Sequence, residues 1–530
     1  MRDMLKAKTY GQYFTPHYIA EFMVSLISKP KGSKVLDPCA GTGVFPLALR
    51  KMGFNNVDAY EIDNTLPNMY DVKITYMNFL DITPNRVYDV IIGNPPYVRW
   101  KNIPLEWRVK FRSSKYWSLV MNGLSDLTYA FIYHSVNMLK KGGELIFITP
   151  IFWTETVHGC RLRDYLMRHG YLELIINFNE MKIFDKVSST IIIFKYVKEP
   201  SRRKLVKVVN IHSKEKLTRN HLARVKDLIS KLNKAEYISE DIYEAFLHRQ
   251  FIKGEPWKPI PQHVLIGSSL LKAKHYYERF STLQDIAIIG NGMVSGLDKA
   301  FILTDTNKLS EDEVKRVIYV FKAFTLDRFK PKMLPVPYIY ANDIVDEETF
   351  RKLCPQFYQK LLPYRDRLLR RYNYGKIIPW WHWVFPRNKH LFEAYNDKIF
   401  VPSKERYDTK GYFRFAYVKG LYYATQDVTV ICIKPHVREG TKYLLALLNS
   451  KPYQEYILYK GFSRGGVYDF SEKPLATIPI PRIDWNDIED VKIYNDIKFL
   501  VSKILNGEKA YEELNEIVCK LLNRKATQYL

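Results

Sequence analysis

Residues 34–200 alternate short apolar runs with amphipathic stretches, and this rhythm limits the fold more than any other feature of the chain. It is the pattern of a doubly wound α/β domain. Candidate strands are KVLD (34–37), VDAYEI (57–62), KITYM (73–77), DVIIG (89–93), GELIFIT (143–149), LELIINF (172–178) and STIIIFKY (189–196). Only NEMKIFDKVS separates the last two, which is too short for a crossover helix. The final strand is therefore expected to run antiparallel, closing a mostly parallel sheet with a hairpin.

Beyond residue 200 the grammar changes. A charged stretch, 216–246, reads as helical and ends in KGEPWKPIPQ, a linker by composition. From about 265 onward come aromatic segments punctuated by Gly and Pro, without βαβ rhythm. The expected organisation is a catalytic domain over 1–200, a helical, charged connector over 201–262 and a separate α+β domain over 263–530. The chain of 530 residues carries a formal charge of +25. Residues 1–200 hold 25 Lys and Arg against 18 Asp and Glu, and the remainder 56 against 38. The excess thus lies mainly in the second part, as suits a protein that approaches a phosphate backbone. A generally basic surface is the alternative. Five cysteines without C-x-x-C spacing fit a reducing cytoplasm, and no metal-ligand pattern is present. No apolar run is long enough to span a bilayer, so no membrane association is expected.

KVLDPCAGTGVF puts Asp37 at the end of the first strand, ahead of Gly41-Thr42-Gly43 and a helix. Glycines there let a backbone approach a nucleoside closely, although the full G-x-G-x-x-G fingerprint is absent. Glu61 ends the next strand, where a carboxylate can hold ribose hydroxyls. A tight turn and a solvated glutamate would leave the same trace. DVIIGNPPY breaks a buried strand with Asn94, two prolines that cannot join a ladder, and Tyr97. Such a turn suits methyl transfer to a nucleobase exocyclic amine, whose lone pair is delocalised into the ring. The Asn94 side-chain oxygen and the Pro95 carbonyl can accept its two N–H groups, while Tyr97 stacks on the base. A rigid turn needs no reorganisation during reaction.

These stretches, in this order, resemble the TaqI-like γ-class adenine-N6 DNA methyltransferases. The matching blocks are GQYFTPHYIAEFMVSLI, DPCAGTGVF, YEID, NFLD, GNPPY, YAFIYHSVNMLKKGGELIFITP and IFDKVSSTIIIF, all within the first 200 residues. GNGMVSGLDKAFIL, KIFVPSKERYDTKGYFRFAY and LLALLNSKPYQEYIL resemble the recognition domains of the same group. The resemblance implies a Rossmann-like class I methyltransferase domain, S-adenosylmethionine as cofactor and a C-terminal domain that recognises double-stranded DNA. It implies that Thr15 contacts the methionine carboxylate and that Asp37, Cys39, Gly41 and Gly43 line the cofactor. Glu61 would bind the ribose; Phe79 and Phe131 would pack around the adenine, with Pro96 at its border. Asn94, Pro95, Pro96 and Tyr97 would form the catalytic turn, and Phe184 would stack on the flipped base or simply anchor the hairpin. Asn78 stands where the family has an acidic residue, so either Asn78 or Asp81 would meet the adenine amino group.

The substrate amine is buried in a duplex, so the base must be rotated out at a cost of a few kcal/mol. RRYNYGKIIPWWHWVFPRNKH (370–390), KGFSRGGVYDF (460–470) and the loop 97–115 are the aromatic-basic stretches available to grip DNA. The expected protein is a monomer on DNA, the modification component of a restriction–modification or related defence system, beside a separate endonuclease; no fused nuclease is expected. N4-cytosine or RNA-base methylation, glutamine methylation and a silent DNA-binding subunit are the competing readings.

Overall fold

The apolar runs of the first half become neighbours in one sheet. The computed structural model describes residues 11–85, 87–114, 118–184, 189–200, 205–249, 251, 253–254, 256–261, 280–373, 375, 377–407, 410–461, 463–464 and 466–527. The chain divides into two compact units, Met1–His263 and Val264–Leu530. The first holds strands β1 (Val35–Asp37), β2 (Val57–Glu61), β3 (Thr75–Tyr76), β4 (Tyr88–Gly93), β5 (Leu139–Pro150), β6 (Tyr171–Asn177), β7 (Ile191–Val197), β8 (Val206–Ile211), β9 (Tyr237–Glu240) and β10 (Tyr243–His248). Their order is β3-β2-β1-β4-β5-β7-β6-β8-β10-β9. β1 runs parallel to β2 and β4, and β4 parallel to β5. β7 inserts between β5 and β6 and is antiparallel to both, as the short connection requires.

Helices cover both faces, as a mostly parallel sheet demands. They are α1 (His17–Val24), α2 (Val44–Lys51), α3 (Leu105–Arg112), α4 (Thr128–Met138), α5 (Cys160–His169) and α6 (Arg219–Lys231). Alternation along β4 shows the division. Val90 and Ile92 pack with residues of α1, α2 and α6, whereas Ile91 packs with residues of α4 and α5.

The expected helical connector is corrected by the structure. Within 216–246 only α6 is helical; 206–211, 237–240 and 243–248 are strands that extend the catalytic sheet. Phe246 pairs with Val208 on one side and Tyr237 on the other. Of the charges in this stretch, Arg219, Arg224, Lys226, Asp227 and Lys231 lie on α6, whereas Glu240 and Glu244 lie on the two strands. Asp241, at φ +43°, turns the hairpin.

The second unit is α+β. An antiparallel sheet takes the order Ala287–Asn291, Val428–Ile433, Asp397–Pro402, Ala416–Lys419, and both of its faces are buried. Ile399 and Val401 pack into one core with α7 (Ile488–Leu505) and α8 (Tyr511–Thr527), and Phe400 into another beside Trp380, Trp381 and Trp383. The WWHW stretch is thus core: the Trp381 and Trp383 indoles donate to the Ile344 and Ile339 carbonyls at 3.0 and 2.8 Å. Arg371 is likewise spent on the Ser295 and His382 carbonyls. From that segment Tyr372 and Ile377 remain in solvent. Among the described residues no helix is long and apolar enough to cross a membrane.

Candidate active site

Strand order turns back between β1 and β4: β2 and β3 extend to one side, and β5 begins the other. A crevice outside the carboxyl ends at such a switch is where open α/β sheets bind ligands. The register Leu36↔Ile91 sets the turns after Asp37 and Gly93 side by side. They approach so closely that a Cβ on Gly93 would sit 2.9 Å from Asp37 Oδ1. Across this gap the Cys39 thiol donates to the Asn94 carbonyl at 3.1 Å.

The Asn94 side chain is held by its nitrogen. Nδ2 donates to the Tyr13 carbonyl at 2.7 Å and to Thr15 Oγ1 at 3.1 Å. Since a carbonyl only accepts, this pair fixes which way the amide points. Oδ1 is left buried and without a partner among the described residues. The carbonyls flanking Pro95 are both engaged, that of Asn94 by Cys39 and that of Pro96 by the Thr128 hydroxyl at 2.9 Å. Tyr97 anchors its hydroxyl on the Ile148 carbonyl at the end of β5, 2.9 Å away. Its ring stacks on Tyr13 at 5.3 Å and meets Phe184 edge-on at 6.3 Å. Tyr13 and Phe184 are 6.1 Å apart, so three rings gather beside Asn94.

Next to this turn opens a cavity. Of the expected cofactor residues, Cys39, Gly41, Glu61, Asn78, Phe79, Pro96 and Phe131 line it. Glu61 is held by the Gly41 amide at 2.8 Å and by the Ile62 and Asp63 amides at 3.0 Å. Burial raises its pKa, and these amides draw it back down. Phe79 and Phe131 lie 5.5 Å apart and make part of the lining aromatic. Asp37 stands behind the lining, fully buried, with Oδ2 unpartnered among the described residues. Burial, opposed by the Cys39 amide and reinforced by Glu61, raises its pKa from 3.8 to about 8. An aromatic pair and the Glu61 carboxylate in one lining fit a purine nucleoside.

Three expected residues are placed differently. Thr15 does not line the cavity; it receives the Asn94 amide. Gly43 caps α2 at φ +96°, where a Cβ would strike Val72, and so shapes the turn. Asp81 pairs with Lys110 at 2.6 Å, which leaves Asn78 at the cavity, its Oδ1 accepting the Leu80 amide at 3.2 Å. Tyr13, Gln12 and Trp107 also reach the site, and sequence reasoning had not singled them out. Tyr13 sat inside a quoted block, but it works through a carbonyl, which no residue type advertises.

Comparison with known proteins bears on the same regions. Residues 49–184 match the Eco57I restriction-modification methylases, 3–65 the N-6 DNA methylases and 364–480 the TaqI-like C-terminal specificity domain. The chain is 38% identical over 528 residues to the type II methyltransferase M.HindII of Haemophilus influenzae (strain KW20 / Rd), covering 97% of each. It is 37% identical over 519 residues to M.HincII of Haemophilus influenzae, again covering 97% of each. The fold resembles the type IIL restriction-modification enzyme MmeI, solved in complex with DNA, at a TM-score of 0.57 and 12% identity over 99% of this chain and 73% of that one. S-adenosylmethionine is the cofactor of this methyltransferase family. With relatives matched along nearly its whole length, the chain belongs to the type II DNA methyltransferases of restriction–modification systems.

Proposed function

We propose that the protein methylates N6 of adenine in double-stranded DNA. The observation that carries this reading is the buried, unpartnered Asn94 Oδ1, fixed by the two hydrogen bonds its own nitrogen donates. S-adenosylmethionine supplies an electrophilic methyl on sulfonium sulfur. Asn94 Oδ1 accepts one N–H of the target amine, and the Pro95 carbonyl accepts the other. These two acceptors draw the nitrogen lone pair out of the ring and aim it along the wall where Asn94 and Pro96 border the cavity. The acceptors are preorganised, so their alignment costs no reorganisation at the transition state. Tyr97, backed by Phe184, supplies an aromatic face for the extruded base, a contact of about 1–3 kcal/mol. After transfer the amine carries one proton too many, and it leaves through the same acceptors to water.

The second unit is proposed to recognise the DNA target. Its match to a specificity domain supports this. The protein acts as a monomer and as the modification partner of a separate endonuclease. The test is to incubate the protein with labelled S-adenosylmethionine and mixed-sequence duplex, then identify the labelled nucleoside by mass spectrometry. N6-methyl-2′-deoxyadenosine is expected; label on N4 of cytosine, or on protein alone, rejects the assignment.

A further inference from the structure

Directly after Tyr97 the chain leaves the sheet, and it returns only at α4. This excursion is closed at its neck. The Leu127 amide donates to the Val98 carbonyl at 2.9 Å, and the Trp100 amide to the Ser125 carbonyl at 3.0 Å. At its far side lies α3, whose two faces differ. Phe111 is buried against Trp100, whereas Leu105 and Val109 are 67% and 58% exposed. Trp107, one turn before Phe111, packs on the same core and lines the cavity beside Phe79 and Phe131. Lys110 pins the helix to Asp81, the last residue of the 3-10 turn Phe79–Asp81, at 2.6 Å. Ile62 and Met77 line the same cavity yet are 37% and 40% exposed. Apolar side chains left that open on a cavity wall are what a planar apolar ligand would cover.

We propose that Trp107 caps the purine of the cofactor, so that α3, anchored by Phe111 on the core, forms one wall of the nucleoside slot. This deepens the reading of the cavity as the S-adenosylmethionine site and rests on it. A tryptophan is the largest aromatic surface available, and stacking on a base is tolerant of small offsets. The excursion is continuous with Asn94–Tyr97, so the element that shapes the target-base pocket also carries a wall of the cofactor pocket.

The test measures binding of S-adenosylhomocysteine to the full-length protein without DNA, by calorimetry and by tryptophan fluorescence. Trp107→Ala is expected to weaken binding about 5- to 150-fold, the range a lost base–aromatic stack implies. Trp107→Phe keeps most of the affinity but loses the fluorescence quenching that the ligand causes in the parent protein. Parent-like affinity in Trp107→Ala, or undiminished quenching in Trp107→Phe, overturns the proposal; should the alanine variant fail to fold, the phenylalanine variant still decides it. Failure of the parent itself to bind S-adenosylhomocysteine would instead remove the reading of the cavity on which this rests.

Discussion

In the proposed mechanism Asn94 holds the reacting amine, and its surroundings separate two kinds of defect. Asn94→Ala removes an acceptor aimed at the reacting amine; methyl transfer should fall by at least about 10²–10³-fold, with cofactor affinity by calorimetry little changed. Thr15→Val removes one of the two groups that hold the Asn94 amide. A loosened acceptor lowers kcat, by about tenfold, and spares KM for S-adenosylmethionine. If Thr15 instead held the methionine carboxylate, KM would rise and kcat would survive, so steady-state kinetics distinguish the two roles. Asp37 makes the site pH-dependent. Its folded pKa, about 8, lies above its ordinary 3.8, so the empty protein is stabilised by protonated Asp37 below that ordinary value and loses this contribution as pH rises through about 8. A bound cation favours the carboxylate. Cofactor affinity should therefore climb with pH toward 8, by up to about tenfold per unit, and Asp37→Asn should flatten the profile in a calorimetric titration.

At the scale of elements, the approach of β1 and β4 is the tightest demand. Gly93→Ala places a methyl 2.9 Å from Asp37 Oδ1 and 3.3 Å from Pro38 Cδ, neither of which is the end of a flexible chain. Thermal or denaturant unfolding should show a loss of about 1–3 kcal/mol, and transfer should fall with it because Asn94 shifts. Elements were legible where one periodicity ruled. β4 and β7 are continuous apolar runs, and the short link before β7 dictated its direction. Residues 237–248 were not, because YISEDIYEAFLH mixes a strand's alternation with a helix's density of charge. Pairing with β8, which is remote in sequence from 243–248, settled the matter.

For the whole molecule, the net charge of +25 and its concentration after residue 200 predict strong ionic coupling to DNA. Duplex affinity measured by fluorescence anisotropy should fall by about 10²-fold or more between roughly 50 and 200 mM salt, whereas cofactor affinity, set inside a cavity, should barely move. The sequence by itself determined the α/β class of the first unit, the antiparallel closure, the strand-end positions of Asp37, Glu61 and Asn94, and the blocks that place the chain in its family. All of these are written in local side-chain order: period, turn residues and spacing. Only the tertiary structure decided that the Tyr13 carbonyl orients Asn94 across 81 residues, that Asp81 pairs with Lys110, that Trp107 lines the cavity, and that the tryptophans of WWHW are core. The reason is physical. Every residue owns a carbonyl, and a ring or a charge looks the same whether it faces water, a ligand or another chain segment, so which partner it meets is fixed only when distant segments pack.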